Sequence, residues 1–185
     1  MVLITLLGLI YAVAQVLVPC LPPAPLSSEV LSTDKYLGKW YYIGVASWKD
    51  EDIDSYKSVD NSVAELKKGE NNTLIMAAAL QQNDQCNNMA WTYQAYPNFG
   101  PLMIEGGERY GLFFDGEWIK CSSCLIVAKF HPNTGYLRVM LFARSENTSD
   151  DLVNKFKSKM KCGDIIDKFV ISPRTKEFCQ LEGTG

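Results

Sequence analysis

Histidine is nearly absent from this sequence: His131 is the only one in 185 residues. A lone imidazole just before a proline, with no nucleophile paired to it, argues against hydrolytic catalysis, and it leaves a zinc site short of ligands. A basic block is missing too. Eighteen Lys and Arg against 21 Asp and Glu give a net charge of −3, so there is no electrostatic footprint for a nucleic acid. There is no internal repeat and no low-complexity tract. The single long apolar run, Met1 to Val13 in "MVLITLLGLIYAVAQVLVPC", is shorter than the roughly 20 residues a membrane helix needs. What remains is an ordinary globular composition, 47% hydrophobic and 21% charged, of a length that favours one domain.

That apolar run has the character of a secretory leader, although it lacks the usual basic residue at its start. Ala12-Val13-Ala14 fits the small-x-small cleavage rule, which sets a leader at 1–14 and a mature chain at 15–185 beginning with Gln15. Retention of the leader as a lipid anchor is the competing outcome. A secreted chain sees an oxidising compartment, and its six cysteines (Cys20, Cys86, Cys121, Cys124, Cys162 and Cys179) form an even set. The sequons at Asn71 and Asn147 agree with that route. The C-x-x-C in "IKCSSCLIV" suits a redox centre, half of a zinc site or part of a disulfide framework. "LIVAKF" after it reads as a strand, whereas redox pairs sit at a helix N-terminus.

A Pro-rich arm at 19–35 should run extended, its prolines removing backbone donors. From Gly38 onward the chain reads as eight short strands: "GKWYYIGVAS", "VDNSVAELKK", "NTLIMAAALQQ", "NMAWTYQAY", "PLMIEGG", "RYGLFFDG", "CLIVAKFH" and "GYLRVMLFARS". Turn-forming Asn, Asp, Gly and Pro separate them. One helix follows in "NTSDDLVNKFKSKMKC", with Thr148 or Ser149 as N-cap and Leu152, Val153, Phe156 and Met160 on one stripe. A short strand, "KFVIS", comes last. Eight meandering strands with one helix predict an all-β, eight-stranded antiparallel up-and-down barrel with a C-terminal helix docked on its wall.

Gly38-x-Trp40 on the first strand and Arg144 at the end of the eighth resemble the lipocalin signature. The expected contact is a cation on an indole face, closing the narrow end of the barrel. "YLGKWYYIGVA", "VDNSV", "DQC" followed by "WTY", "IEGG", "CSSC", "ARS", "FKSKMKC" and "FVISPRTKEFCQL" are collinear with the apolipoprotein M branch of that family. α1-Acid glycoprotein and fish plasma lipocalins that bind tributyltin or toxins come next. The middle lipocalin motif has no clear counterpart. By this resemblance the bridges are Cys20–Cys162 and Cys86–Cys179. Leu152 stands where a third partner cysteine would, which leaves Cys121–Cys124 as a local pair.

Strand alternation from an inward Trp40 sends Tyr42, Gly44 and Ala46 inward, and Tyr41, Ile43 and Val45 outward. Small residues there and in "MAAAL" favour a cavity. Arg138, Met140, Phe142 and Arg144 share a face of the last strand, which makes Arg138 a candidate anchor for an acidic headgroup. Trp91, Tyr93, Tyr42, Phe114, Met140 and Phe142 complete the expected calyx wall. The resemblance also implies two further basic positions; they fall on Met89 and near Gly107, with Arg109 as a possible substitute. A ligand with one acidic group, such as a fatty acid or retinoid, therefore suits the site better than sphingosine 1-phosphate.

The implied function is a secreted plasma carrier for a small lipophilic ligand, monomeric, without cofactor or metal, with a lipoprotein surface as a further partner. The alternative is a scavenger of xenobiotics. One lipocalin isomerises prostaglandins through a calyx cysteine, but every cysteine here has a bridge role, so no enzyme is expected.

Overall fold

The computed structural model describes residues 20, 22–94, 102–104, 110–131, 133, 135–162, 166 and 168–181; the leader at 1–14, Gly107 and Arg109 lie outside them. Nine strands form one antiparallel sheet: β1 Gly38–Ser47, β2 Val59–Lys68, β3 Thr73–Gln82, β4 Gln85–Gln94, β5 Leu102–Ile104, β6 Tyr110–Asp115, β7 Cys124–His131, β8 Gly135–Ala143 and β9 Lys168–Ile171. Their order is β2-β3-β4-β5-β6-β7-β8-β1-β9, and β1 also pairs with β2. The first strand therefore meets both ends of the meander. Trp40 lies opposite Ala64 of β2, while Tyr41 lies opposite Ala143 of β8. The eight-strand barrel with a closing ninth strand is as expected.

Alternation sorts the apolar residues into two layers. The inner core holds Trp40, Tyr42, Val45, Met76, Ala78, Tyr93, Phe113, Val127 and Phe142. The outer core lies between the wall and helix α3, Asp150–Lys161, and holds Ile43, Phe114, Ile126, Leu141, Phe156 and Met160. Ser149 caps α3 by accepting from the Leu152 N–H at 3.3 Å, and Asp150 and Asp151 lie in its first turn, where the helix dipole favours them.

One expectation fails on β1. Its register against β8 shifts between Tyr42 and Gly44. A bulge adds a residue to one strand and inverts the alternation beyond it. Val45 thus belongs to the inner core and Ala46 to the outer one, while Ile43 lies in the outer core as expected. A Cβ on Gly44 would lie 2.8 Å from the Val170 carbonyl of β9, so this position faces the closing strand rather than the cavity.

The arm is not uniformly extended. Ser28–Leu31 forms a single turn of helix, α1, capped by Ser27, and Leu31 is fully buried in the inner core. A second unexpected helix, α2, spans Asp50–Lys57 between β1 and β2. Its acidic first turn and Lys57 at its end suit the helix dipole. Eight residues are too few to hold a helix in water. The barrel holds this one through buried Ile53 and through a 2.7 Å ion pair between Asp50 and Lys168 of β9.

Three disulfides staple the fold: Cys20–Cys162, Cys86–Cys179 and Cys121–Cys124. The first joins the arm to the end of α3 across 142 residues. A loop of that size is worth about 4–5 kcal/mol in the chain-entropy model. Cys121–Cys124 lies beside β7, and "LIVAKF" is strand, so neither the redox nor the zinc reading of this C-x-x-C applies.

Candidate ligand-binding calyx

The narrow end of the barrel is sealed by side chains that satisfy one another. Gly38 has φ +88°, a conformation that an L side chain rarely adopts, and it carries the chain into β1 beneath Arg144. The Arg144 guanidinium carbon lies 3.7 Å from the centre of the Trp40 ring. Its Nη1 donates to the Lys39 carbonyl at 2.6 Å, and its Nη2 to the Lys35 and Leu37 carbonyls at 2.7 and 2.8 Å. Trp40 donates its indole N–H to the Tyr36 carbonyl at 2.7 Å. Below them, Asp115 accepts from Lys35 Nζ at 2.6 Å, from the Tyr36 hydroxyl and from the Glu117 N–H at 2.8 Å. Burial alone would raise the Asp115 pKa, but these donors together hold it below its ordinary value.

Above this floor the strands enclose a cavity of about 660 Å³, its open mouth included. Met76, Ala78 and Leu80 of β3 line one side, and Trp91 and Tyr93 of β4 the next. Tyr42, Met140 and Phe142 face them from β1 and β8. Tyr93 stands edge-on to Phe113 with ring centres 5.4 Å apart. Gly111 makes room for that ring, since a Cβ there would lie 2.7 Å from Tyr93 Cε1.

The mouth is where the polar chemistry gathers. Helix α2 lies across it and sends Tyr56 and Asp52 toward Arg138. The Arg138 guanidinium lies 5.3 Å from the Tyr56 ring centre, and its Nη1 is 3.7 Å from Asp52 Oδ1. Asp52 accepts from Ser47 Oγ at 3.3 Å, which ties the lid back to β1. The Tyr56 hydroxyl meets Met140 Sδ at 3.5 Å. Arg138 Nε and Tyr42 Oη are buried and have no hydrogen-bond partner among the described residues. Burial pushes the Tyr42 phenol well above its ordinary pKa, and those of Tyr56 and Tyr93 upward as well, so all three are neutral hydroxyls at any physiological pH.

Six of the seven expected wall residues (Arg138, Trp91, Tyr93, Tyr42, Met140 and Phe142) line this cavity. Phe114 does not. Its ring belongs to the outer core, 6.2 Å from the Trp118 ring, and the inward aromatic of β6 is its neighbour Phe113. An adjacent Phe pair offers alternation two equivalent phases, and the barrel places Phe113 inward and Phe114 outward. Met89, opposite Ala78, is 47% exposed. Asp52 and Tyr56 went unnoticed because "SWKDEDIDSYKS" has the composition of a loop. The available signal was Ile53 and Tyr56 at helical spacing behind an acidic first turn. Among the described residues no group of side chains could hold a metal ion, and no helix is long and apolar enough to cross a membrane.

A β-barrel sealed by an arginine–tryptophan stack, with an apolar cavity open at the other end, defines a lipocalin-type binding protein. A solved structure shares this fold: the siderocalin Ex-FABP, described as working through dual ligand specificities, superposes with a TM-score of 0.61 at 16% identity, covering 80% of this chain and all of that one. Residues 26–183 match the ApoM domain, and the chain belongs to the apolipoprotein M family. Apolipoprotein M of Rattus norvegicus is 27% identical over 150 residues, 80% of this chain and 77% of the relative; that of Mus musculus is 25% identical over the same shares.

Proposed function

We infer that this protein is a secreted, non-enzymatic carrier that shelters a small lipophilic or amphipathic molecule in its calyx, with Arg138 meeting the ligand's polar end. The observation that carries this reading is one arginine with a buried, unpartnered Nε, set in the wall of an otherwise apolar and aromatic cavity. A desolvated guanidinium is a strong, directional partner for an acidic or carbonyl oxygen, and the apolar wall matches an alkyl or isoprenoid body. Membership of the apolipoprotein M family supports the same class of function. The three disulfides support an extracellular location, as do exposed asparagines at both sequons, Asn71 and Asn147.

The name of the rodent relatives is the ground for proposing a lipoprotein surface as a second partner. That association depends on the leader, because a retained apolar segment gains about 0.8 kcal/mol per methylene buried in lipid. Our reading is a cleaved leader and a free, monomeric mature chain. N-terminal sequencing of secreted protein should begin at Gln15; a start at Met1 would favour the lipoprotein-bound form.

The decisive experiment is ligand identification. The full chain is secreted by animal cells in serum, purified without detergent and extracted for mass spectrometry. A stoichiometric amphiphile whose recovery falls about tenfold or more in Arg138→Ala is the expected result. An empty barrel that takes up organotins or cationic drugs instead would move the protein to the xenobiotic-scavenging class.

A further inference from the structure

The polar end of the calyx sets two cations, Arg138 and Lys129, against one anion, Asp52, and the anion comes from the lid. Asp52 approaches the Nη1 edge of Arg138 at 3.7 Å, while Arg138 Nε remains buried without a partner among the described residues. Tyr42, only 3% exposed, faces the same cavity with an equally unpartnered hydroxyl. Two donors left without acceptors in an apolar cavity call for an acceptor on the ligand, since a buried unmet donor costs free energy that a bound oxygen recovers. Asp52 is held in place from two directions, by Ser47 Oγ at 3.3 Å and by the helix that Ile53 and the Asp50–Lys168 pair anchor to the barrel.

A carboxylate fixed beside the headgroup position repels every negative charge the ligand brings. Coulomb energy is linear in that charge, so a dianion suffers about twice the penalty of a monoanion, and a neutral headgroup none. Lys129, opposite Arg138 on β7, also lines the cavity. Its contribution cancels when variants at position 52 are compared.

We propose that Asp52 is a specificity-determining residue: it offsets the positive charge of Arg138 and Lys129 and so weakens the binding of dianionic headgroups more than that of singly charged ones, whose acceptor atoms are held by Arg138 Nε and Tyr42 Oη. The ligand class is a long-chain carboxylate, or a lipid ending in a hydroxyl or carbonyl, and alkyl phosphate dianions are disfavoured. This assignment rests on the carrier reading above.

Three probes with one tail test it: dodecan-1-ol, dodecanoate and dodecyl phosphate, titrated calorimetrically into the full chain at pH 8 and physiological salt. In Asp52→Asn, dodecanoate should tighten about fivefold, dodecyl phosphate about twenty-five-fold, and the alcohol by less than about twofold. Asp54→Asn, which removes an exposed carboxylate paired only with Lys57 of the same helix, should leave the three affinities in their wild-type ratio. Equal changes for all three probes in Asp52→Asn would overturn the role of Asp52 and leave the carrier reading standing. Failure of both wild type and variant to bind any of the three would overturn the carrier reading and the proposal with it.

Discussion

Two arginines of the eighth strand region, Arg138 and Arg144, each stack on an aromatic ring, at opposite ends of one barrel. Arg144 lies 3.7 Å from the Trp40 ring and gives its hydrogens to three backbone carbonyls. Arg138 lies 5.3 Å from the Tyr56 ring, keeps a loose 3.7 Å contact with Asp52, and has a buried Nε that nothing meets among the described residues. The same side chain, once within β8 and once just past its end, serves as a socket in one place and a bolt in the other. What separates them is hydrogen-bond closure. A cation whose two terminal nitrogens are met by backbone carbonyls holds structure, and one with a buried donor left unmet is poised for a ligand.

The largest effect should come from breaking the bolt. Arg144→Ala removes three charge-assisted bonds and uncovers Trp40, so it should destabilise the protein by about 3 kcal/mol in urea unfolding. Arg138→Ala should cost less than about 1 kcal/mol in the same measurement, because its one ion pair is loose and near the surface. Comparable losses for the two variants would erase the distinction.

Next in size is Gly38→Ala. A φ of +88° forces a side chain into a rarely occupied region, and the expected cost is about 1–2 kcal/mol, read as a lowered unfolding midpoint.

The closed end should also respond to acid. Because the Asp115 pKa is depressed in the folded protein, its contribution is complete above its unfolded value near 3.8 and is lost as pH falls through the lower folded value. Stability measured from pH 6 down to pH 2 should therefore fall in that acid window, and less steeply in Asp115→Asn.

The smallest effect, and the sharpest for the socket, is that of Tyr42→Phe. Deleting a buried hydroxyl with no partner should leave stability unchanged or raise it by up to about 1 kcal/mol, while weakening the binding of an oxygen-bearing ligand. A clear loss of stability would mean that the hydroxyl is structurally engaged.

Most strands could be bounded to within two or three residues from turn residues and alternation, and β1, β2 and β7 match the expected spans residue for residue. Alternation is a local property of the backbone, so local sequence reveals it. Its phase is not local. The bulge after Tyr42 inverts the second half of β1, and the Phe113–Phe114 pair gives no hint of which ring faces in. The site was legible on its regular strands, where Trp91, Tyr93, Met140 and Phe142 follow simple parity. The lid was not legible. Six of the twelve residues in "SWKDEDIDSYKS" are acidic or basic, and the helix they form is held by contacts with β1 and β9 rather than by propensity.

By itself the sequence determined the class of the molecule: turn spacing and period-two hydrophobicity for a β-barrel, one amphipathic stripe for the docked helix, and an even cysteine set for an oxidising environment. These features act over neighbouring residues and need no knowledge of what lies across the fold. Only the tertiary structure decided which donors are met and which are left open. Whether Arg138 and Tyr42 find acceptors depends on residues 52 and 56, brought over the barrel mouth from a segment some 80 positions away from Arg138. Hydrogen-bond closure is a property of three-dimensional neighbours, and here it separates the sealed end of the barrel from the end built to receive a ligand.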